Sequence, residues 1–429
     1  MSTTARVSDA TQFTAQEAQA LQEQYAAVWQ PAMYQDLMTG IEKNCIKMGL
    51  RVAEHPVFLP SDLRDKAFST ALDLTSTLHA RKAPAALVDY VPPAYRTPTF
   101  DTTVQALPHV MCVDFAVTRT AGELDLRLIE LQAGPNHYFQ NWTHFHALQE
   151  TLKGLDGFPT TWGWTANDLS DESYIGLLRD CICGDHPVED CALVDVRIAE
   201  QKTNAEFNAT QKILGIAVVD AKDLTQVGRK LYRPNPADGA PIEVKRVYYR
   251  IVADDVKDPL PFDIKTLDTE FWPRPEEQFL WAKASMASIQ DKSCVPQTLR
   301  VCDAKPDLLA GDLSGYVLKP LLSFSGQGVD LNPTAQTISL IPEDQRKDWC
   351  LQQKVEYAHW IQAAGPESRP VGTELRVLLV RRDGDAEMAP LNAWMRCSDG
   401  KMFNVGFNKK PGLGVSVGMW PKDAVQAPQ

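Results

Sequence analysis

Tyr316-Val-Leu-Lys-Pro-Leu-Leu-Ser-Phe-Ser-Gly-Gln-Gly-Val329 joins a strand-like apolar run, one lysine and a loop of small residues. Lys319 supplies a compact positive charge that suits phosphate oxygens. Glycines let backbone N–H groups approach a phosphate closely, and the serines add hydroxyl donors. The stretch has the spacing of neither a Walker A loop nor a dinucleotide-binding fingerprint. It therefore predicts either a clamp for a nucleoside triphosphate or an ordinary strand followed by a hairpin turn.

Composition and charge narrow the class of protein. The chain has 429 residues, more than one ordinary core holds, so we expect two or three domains. A formal net charge of -12 argues against a partner such as nucleic acid or an anionic membrane. The 9 cysteines lack zinc-site spacing, the first residues do not resemble a signal peptide, and no apolar run is long enough to span a membrane. These features predict a cytoplasmic protein with reduced thiols.

Breaks and apolar runs divide the chain into four parts of a mixed α/β (α+β) fold. Residues 1–95 are predicted to be a helical N-terminal region that ends in a proline-rich break. Residues 96–189 are predicted to hold a strand hairpin and then helices, and residues 190–260 a small α/β unit with strand, helix and strand in turn. Residues 261–429 are predicted to be the nucleotide-binding region, with one helix over 279–291 followed by strands.

Two strand-like runs carry oxygen-bearing side chains on one face. Residues 110–117 and 124–131 are separated by a short turn, which predicts a hairpin. Glu130 and Gln132 are two residues apart, so both point to one face of a strand, and Asp114 lies on the paired strand. Oxygen ligands from neighbouring strands suit Mg²⁺. The alternative is the polar, solvent-facing side of an antiparallel hairpin.

Other charged residues have two interpretations each. Glu374 and Arg376 share a strand face, where the guanidinium could bind a carboxylate or phosphoryl group, or could form a cross-strand salt bridge. Arg396 on the next strand has the same two interpretations. Lys283 is either a nucleotide ligand or a solvated helical lysine. Residues 350–355 are either a strand whose backbone reads adenine or a plain polar strand.

Three histidines follow the hairpin closely. His137, His144 and His146 could place an acid–base group near the hairpin. A metal site is the weaker interpretation, because no cysteine or carboxylate completes the spacing.

In their order along the chain, these elements resemble the circularly permuted branch of the ATP-grasp superfamily, of which the glutathionylspermidine synthetase module is the best-known member. In that branch the metal motif comes first, on a hairpin of the form D-F … G … L-L-E-x-N. This chain has Val113-Asp-Phe115, Gly122 and Leu128-Ile-Glu-Leu-Gln132 in that order. The two lysines, the hinge strand and the arginine strand follow, so the resemblance extends over about residues 105–410.

The resemblance implies an activity and the residues that carry it. It implies an ATP-dependent carboxylate–amine ligase that uses ATP and Mg²⁺, joins two small molecules and forms an amide through an acyl phosphate. The implied Mg²⁺ ligands are Asp114, Glu130 and Gln132, and the implied catalytic arginines are Arg376 and Arg396. The implied nucleotide-binding residues are Lys283, Lys319, Ser323, Ser325, Gly326, Gln327, Gly328, Gln352, Gln353, Lys354 and Val355.

Two positions depart from the pattern of that branch. Gln132 stands in place of the commoner asparagine, and Cys112 stands where relatives often carry an arginine. Arg376, Arg396 or Arg250 could supply the missing contact. These departures leave a second function open, a nucleotide-binding module of the same fold that does not catalyse a reaction.

Overall fold

The computed structural model of the protein describes residues 12–45, 48–134, 136–322, 326–400, 403 and 409–422. Helices dominate the described residues between positions 12 and 80. Thr14 caps the first helix through a capping box with Glu17, and Pro31 opens the second, where its missing N–H costs no hydrogen bond. The helices are α1 (Ala15–Val28), α2 (Pro31–Glu42), α3 (Ser61–Ala80), α4 (Phe100–Gln105), α5 (Tyr138–Leu152), α6 (Asp171–Cys183), α7 (Asn204–Leu214), α8 (Glu277–Leu280), α9 (Pro306–Leu309) and α10 (Ala335–Ser339). None of the helices in these ranges is both long and apolar enough to cross a membrane.

The strands form four sheets, which confirms the mixed α+β class. The strands are β1 (Val57–Phe58), β2 (Val110–Thr120), β3 (Glu123–Gln132), β4 (Trp162–Gly163), β5 (Cys191–Asp195), β6 (Ala217–Asp220), β7 (Thr225–Val227), β8 (Lys230–Pro234), β9 (Pro241–Val244), β10 (Arg246–Tyr249), β11 (Glu270–Trp272), β12 (Thr298–Arg300), β13 (Tyr316–Pro320), β14 (Trp349–Gln353), β15 (His359–Gln362), β16 (Pro370–Val380), β17 (Ala389–Ser398) and β18 (Gly414–Pro421). The largest sheet has the order β1-β18-β17-β16-β2-β3, with β15 on β16 and β4 on β18. The predicted hairpin, β2 and β3, thus lies at one edge of this sheet beside the C-terminal strands.

The small α/β unit has parallel strands. Its sheet has the order β11-β10-β5-β6, and β5, α7 and β6 follow one another as strand, helix and parallel strand. Gly215 ends α7 in a left-handed conformation at φ 79°, and its N–H donates to the carbonyl of Gln211 at 2.8 Å. A separate antiparallel sheet, β7-β8-β9, adjoins this unit in sequence.

Lys319 lies on a further antiparallel sheet, of order β12-β14-β13. This sheet has its own small core around Leu318 and Leu351, while the large sheet and the N-terminal helices share the main core. A third cluster fills the parallel-sheet unit around Tyr249. The division of the chain into four parts, and the circular permutation, stay predictions.

The helix predicted over residues 279–291 is wrong in its extent. The structure has the short α8, then an extended backbone at Ala282, and then a 3-10 helix over Lys283–Ile289. The carbonyl of Trp281 accepts a hydrogen bond from the N–H of Ala133, next to the end of β3, at 2.7 Å. In a continuous helix the carbonyl of Trp281 would accept from an N–H of the next turn, but here it accepts from Ala133, which is distant in sequence.

Candidate active site

Strand register gathers the predicted metal and arginine residues on one face of the large sheet. Asp114 on β2 lies opposite Glu130 on β3 and opposite Arg376 on β16. Glu374, two residues before Arg376, lies opposite Arg396 on β17. Because directly opposed residues of antiparallel strands point the same way, these five side chains form one polar patch.

A bidentate ion pair lies at the centre of this patch. Nε and Nη2 of Arg376 each donate to a different oxygen of Asp114, both at 2.6 Å, and Nη2 of Arg396 donates to Asp114 at 3.2 Å. Asp114 is fully buried. Burial alone would raise the pKa of this carboxyl, but the charges of Arg376 and then Arg396 outweigh it and hold the pKa below its usual value. Asp114 is therefore an anion whose solvent has been replaced by two guanidinium groups.

Glu374 is a second buried carboxyl with a different environment. It forms an ion pair with Arg396 and accepts a hydrogen bond from the hydroxyl of Tyr357 at 3.0 Å. Burial raises the pKa of Glu374 to about 7, against the opposing charge of Arg396 and with the help of Asp114. Glu374 can thus change charge near neutral pH. No local pattern selects Glu374 over Arg376, and Tyr357 lies in a stretch without any pattern.

Both predicted nucleotide lysines reach the hairpin. Nζ of Lys283 lies 3.7 Å from Oε2 of Glu130. Nζ of Lys319 donates to Oε1 of Gln352 at 2.6 Å and to the backbone carbonyl of Ile129, next to Glu130, at 3.5 Å. Burial lowers the pKa of Lys319, although Glu130 opposes this. Two cations from separate elements therefore approach the same carboxylate strand.

The predicted Mg²⁺ ligands have suitable chemistry but are held by an arginine. Asp114 and Glu130 offer carboxylates and Gln132 offers an amide oxygen, which are donors that Mg²⁺ accepts. With its oxygen turned toward Arg376, the Gln132 amide accepts from the guanidinium at 3.0 and 3.3 Å, and Glu130 lies 3.7 Å from it. The donor set fits Mg²⁺ only if Arg376 gives up these contacts. No group of three or more His, Cys, Asp or Glu side chains in the described ranges is placed to hold a metal ion.

The predicted phosphate loop is described in part, since Ser323 and Ser325 lie outside the described residues. Gly326 and Gly328 have positive φ angles of 72° and 71°, which a glycine adopts without strain. A Cβ atom at Gly328 would lie 2.8 Å from the ring of Pro320, so a side chain is also excluded by space. Gln327 lies between these glycines, and the loop after β13 closes where Leu318 and Asp330 exchange two backbone hydrogen bonds of 2.9 Å. The described part of the loop, residues 326–330, thus has tight backbone geometry.

The predicted adenine-reading strand keeps few backbone donors for a ligand. The N–H groups of Gln353 and Lys354 donate to the carbonyls of Gln297 and Gly315, both at 2.8 Å. Within the described residues, the N–H of Val355 makes no hydrogen bond. The side-chain oxygen of Gln352 accepts a hydrogen bond from Lys319 at 2.6 Å. Of this stretch, Val355 is therefore the residue whose backbone donor is left for an adenine.

Arg250 and His137 lie beside the patch. Arg250 is 2% exposed and has no ion-pair partner among the described residues, although it donates to the hydroxyl of Tyr248 at 2.8 Å. The ring of His137 packs on that of Trp394, with centroids 4.6 Å apart, and its Nδ1 donates to Gln140. Burial, followed by the charges of Arg250 and two further arginines, holds the pKa of His137 well below its usual value. His137 is thus a neutral imidazole among cations.

Other polar features lie apart from this patch. His144 is buried without a hydrogen-bond partner in the described ranges, and burial lowers its pKa to about 3. His146 pairs with Asp171 on the surface at 2.9 Å. A surface cavity lined in part by Glu189 and Arg233 shares no residue with the patch. Of the three histidines considered for acid–base chemistry, only His137 is near the arginines.

Comparison with known proteins shows a likeness of fold alone. No protein-family model matches the chain, and the search of curated proteins found no significant match. Among solved structures, the chain is similar to a glutathione synthetase-like effector from Globodera pallida in its apo form, with a TM-score of 0.53 and 10% sequence identity. The similarity covers 86% of this chain and 94% of that chain. This chain therefore has a fold similar to that of the glutathione synthetase-like effector, while the ATP-grasp superfamily and its permuted branch stay predictions.

Proposed function

We propose that the protein is an ATP-dependent carboxylate–amine ligase of the circularly permuted ATP-grasp type, acting with Mg²⁺ on small molecules in the cytoplasm. One observation carries the proposal. Two lysines and two arginines from four separate segments converge on the three carboxylates of the hairpin and β16. The similarity of fold to a glutathione synthetase-like protein supports the proposal, because a synthetase of this kind is a ligase. None of the nine cysteines forms a disulfide, which agrees with a reducing compartment.

The four cations suit phosphoryl transfer. Transfer of the terminal phosphoryl group of ATP to a carboxylate needs charge neutralisation and alignment more than covalent help from the protein. Lys283 lies 3.7 Å from Glu130, and Lys319 donates to the carbonyl of Ile129 next to it. Arg376 and Arg396 lie on the paired strands β16 and β17 of the same sheet. A lysine acts as a point charge, so the lysines would hold the phosphates. An arginine can bind two oxygens at once, so the arginines would align the transferred phosphoryl group.

The metal would be held by the hairpin. Glu130, Gln132 and Asp114 would be its ligands, and Asp114 would become available when Arg376 turns to a phosphoryl oxygen. When bound, Mg²⁺ neutralises phosphate charge and orients the phosphates. The loop around Gly326 and Gly328 would supply backbone donors and exclude water from the acyl phosphate.

Arg250 is the candidate for binding the substrate carboxylate. Its buried guanidinium donates to the carbonyl of Asn136 and lies near the carboxyls of Glu206 and Asp195. It has no direct ion pair among the described residues, so a substrate carboxylate would supply that partner. This residue would also supply the contact that Cys112 cannot make.

The test is ADP release by purified protein with Mg-ATP and pooled amino acids, short peptides and polyamines. We expect release that requires both a carboxylate pool and an amine pool and that is lost in Lys319→Ala. Lys305→Ala removes an exposed lysine elsewhere in the same unit and should keep wild-type release. Release that persists unchanged in Lys319→Ala would refute the assignment of the nucleotide site.

A non-catalytic nucleotide-binding module is the second candidate. It is favoured by the bidentate hold of Arg376 on Asp114, which a metal must displace. ATP binding without ADP release from any substrate pool would support this candidate over the ligase.

A further inference from the structure

β3 contains one residue with no counterpart on its partner strand. Asp114 lies opposite Glu130, but the next residue, Phe115, lies opposite Leu128. Ile129 is therefore the extra residue of a β-bulge, placed directly before the predicted metal ligand Glu130. Bulges re-aim the groups around them and often occur beside functional sites.

The carbonyl of Ile129 binds the nucleotide-binding sheet. It accepts a hydrogen bond from Nε2 of Gln352 at 3.2 Å and from Nζ of Lys319 at 3.5 Å. The other end of the same amide, Oε1 of Gln352, accepts from Nζ of Lys319 at 2.6 Å. One ammonium, one amide and one carbonyl thus form a closed triangle that joins β13 and β14 to β3.

Only a side-chain amide satisfies both sides of this triangle. Gln352 is 3% exposed, so water does not replace a lost partner. A carboxylate at this position would still accept from Lys319 but would present an acceptor to the carbonyl of Ile129. An apolar side chain would leave both the ammonium and the carbonyl without this partner.

We propose that Gln352 is a positioning residue that, together with the bulged Ile129, fixes the ammonium of Lys319 relative to Glu130. Its side chain acts through Lys319 and does not read the adenine. The inference rests on the proposed function for what Lys319 binds, but the triangle itself does not depend on that function. As a consequence, one amide would fix the position of the lysine that would hold phosphate relative to the strand that would hold the metal.

Two substitutions separate positioning from packing. Gln352→Leu removes the acceptor for Lys319, so the pKa of this lysine should fall further. Gln352→Glu adds a negative acceptor, so the same pKa should rise. Both should weaken ATP binding at least about tenfold, since each disturbs a hydrogen bond to a charged group that meets phosphate. A residue with a packing role alone would not shift the pKa in opposite directions.

The experiment measures the Lys319 side chain and nucleotide binding in the same full-length proteins. The pKa is followed by NMR of protein labelled with ¹³Cε-lysine, with the signal assigned through Lys319→Arg, and Mg-ATP affinity by calorimetry. Gln290→Leu is the matched control, because Gln290 bonds to Thr298 and Met286 but not to Lys319. If Gln352→Leu does not fold, Gln352→Glu and the control still give the comparison.

The outcomes distinguish the inference from the proposed function. Opposite pKa shifts with weaker ATP binding support both. Opposite shifts in a protein that binds no ATP support the positioning role and reject the nucleotide site. A wild-type pKa for Lys319 in the Gln352 variants, or shifts of the same size in Gln290→Leu, would overturn the inference.

Discussion

Removing Arg376 from its pair with Asp114 should be one of the most destabilising single changes in the large sheet. Arg376→Met keeps most of the side-chain volume but deletes both 2.6 Å hydrogen bonds to a fully buried carboxylate. Breaking a buried ion pair by removing one partner costs about 3–5 kcal/mol. Arg396 remains 3.2 Å from Asp114, so we expect the lower end, about 3 kcal/mol.

The assay is urea unfolding of the wild type, Arg376→Met, Asp114→Asn and the double variant. Asp114→Asn with Arg376→Met removes both charges, so the double variant should be more stable than the sum of the single losses predicts, by more than about 1 kcal/mol. The folded-state pKa of Asp114 is lowered, so its stabilisation is present above its unfolded-state pKa of about 4 and is lost as the pH falls below that value. The deficit of Arg376→Met should therefore shrink in acid. A loss under about 1 kcal/mol at neutral pH, or a deficit independent of pH, would refute this reasoning.

Three further predictions concern neighbouring groups. The folded-state pKa of Glu374 is raised to about 7, so its contribution to stability is complete below its unfolded-state pKa and is lost as the pH rises to about 7. Glu374→Gln should therefore flatten this part of the curve of stability against pH. An unchanged curve would exclude Glu374 as the source of the pH dependence. His109 is buried between Glu277 at 2.6 Å and Asp383 at 2.7 Å. Burial would lower the pKa of His109, but these two carboxylates outweigh it and raise the pKa. His109→Gln should therefore lose most stability at low pH and progressively less as the pH rises through the folded-state pKa. An equal loss of thermal midpoint at all pH values would contradict that ion pairing. Glu130→Ala should abolish Mg-dependent turnover while circular dichroism shows an intact fold, and turnover retained in this variant would remove Glu130 from the metal site.

Local patterns predicted much of the fold. The hairpin of β2 and β3 is visible because two strand-like apolar runs flank a short turn. Helix α7 is visible because a glycine follows its last turn. The helix over residues 279–291 failed because hydrogen bonding between Trp281 and Ala133 is a contact between segments far apart in the chain. Propensity over a short window contains no information about such a partner.

The composition of the site was visible in the sequence, but its pairing was not. Each charged residue has a local signal, since Glu130 and Gln132, or Glu374 and Arg376, alternate along a strand. The pairing of Arg376 with Asp114 depends on the antiparallel register of β16 against β2, which are separated by most of the chain. The bulge at Ile129 was equally hidden, because one extra residue in a strand does not interrupt its apolar pattern.

The charge balance of the patch explains why catalytic cations and metal ligands would occupy one face. Lys283, Lys319, Arg376 and Arg396 face Asp114, Glu130 and Glu374, so four positive charges meet three negative ones. Buried charges are tolerated when each has a partner close by, and here the carboxylates offset most of the positive charge before any ligand is bound, which leaves an excess of positive charge for an anionic ligand. On the proposed function, the carboxylates would exchange their arginine partners for the metal while the arginines turn to the phosphoryl group. The buried carboxylates and arginines would then keep partners throughout the exchange. The free-energy cost of removing them from water would thus be incurred when the protein folds, and substrate binding would not have to offset it.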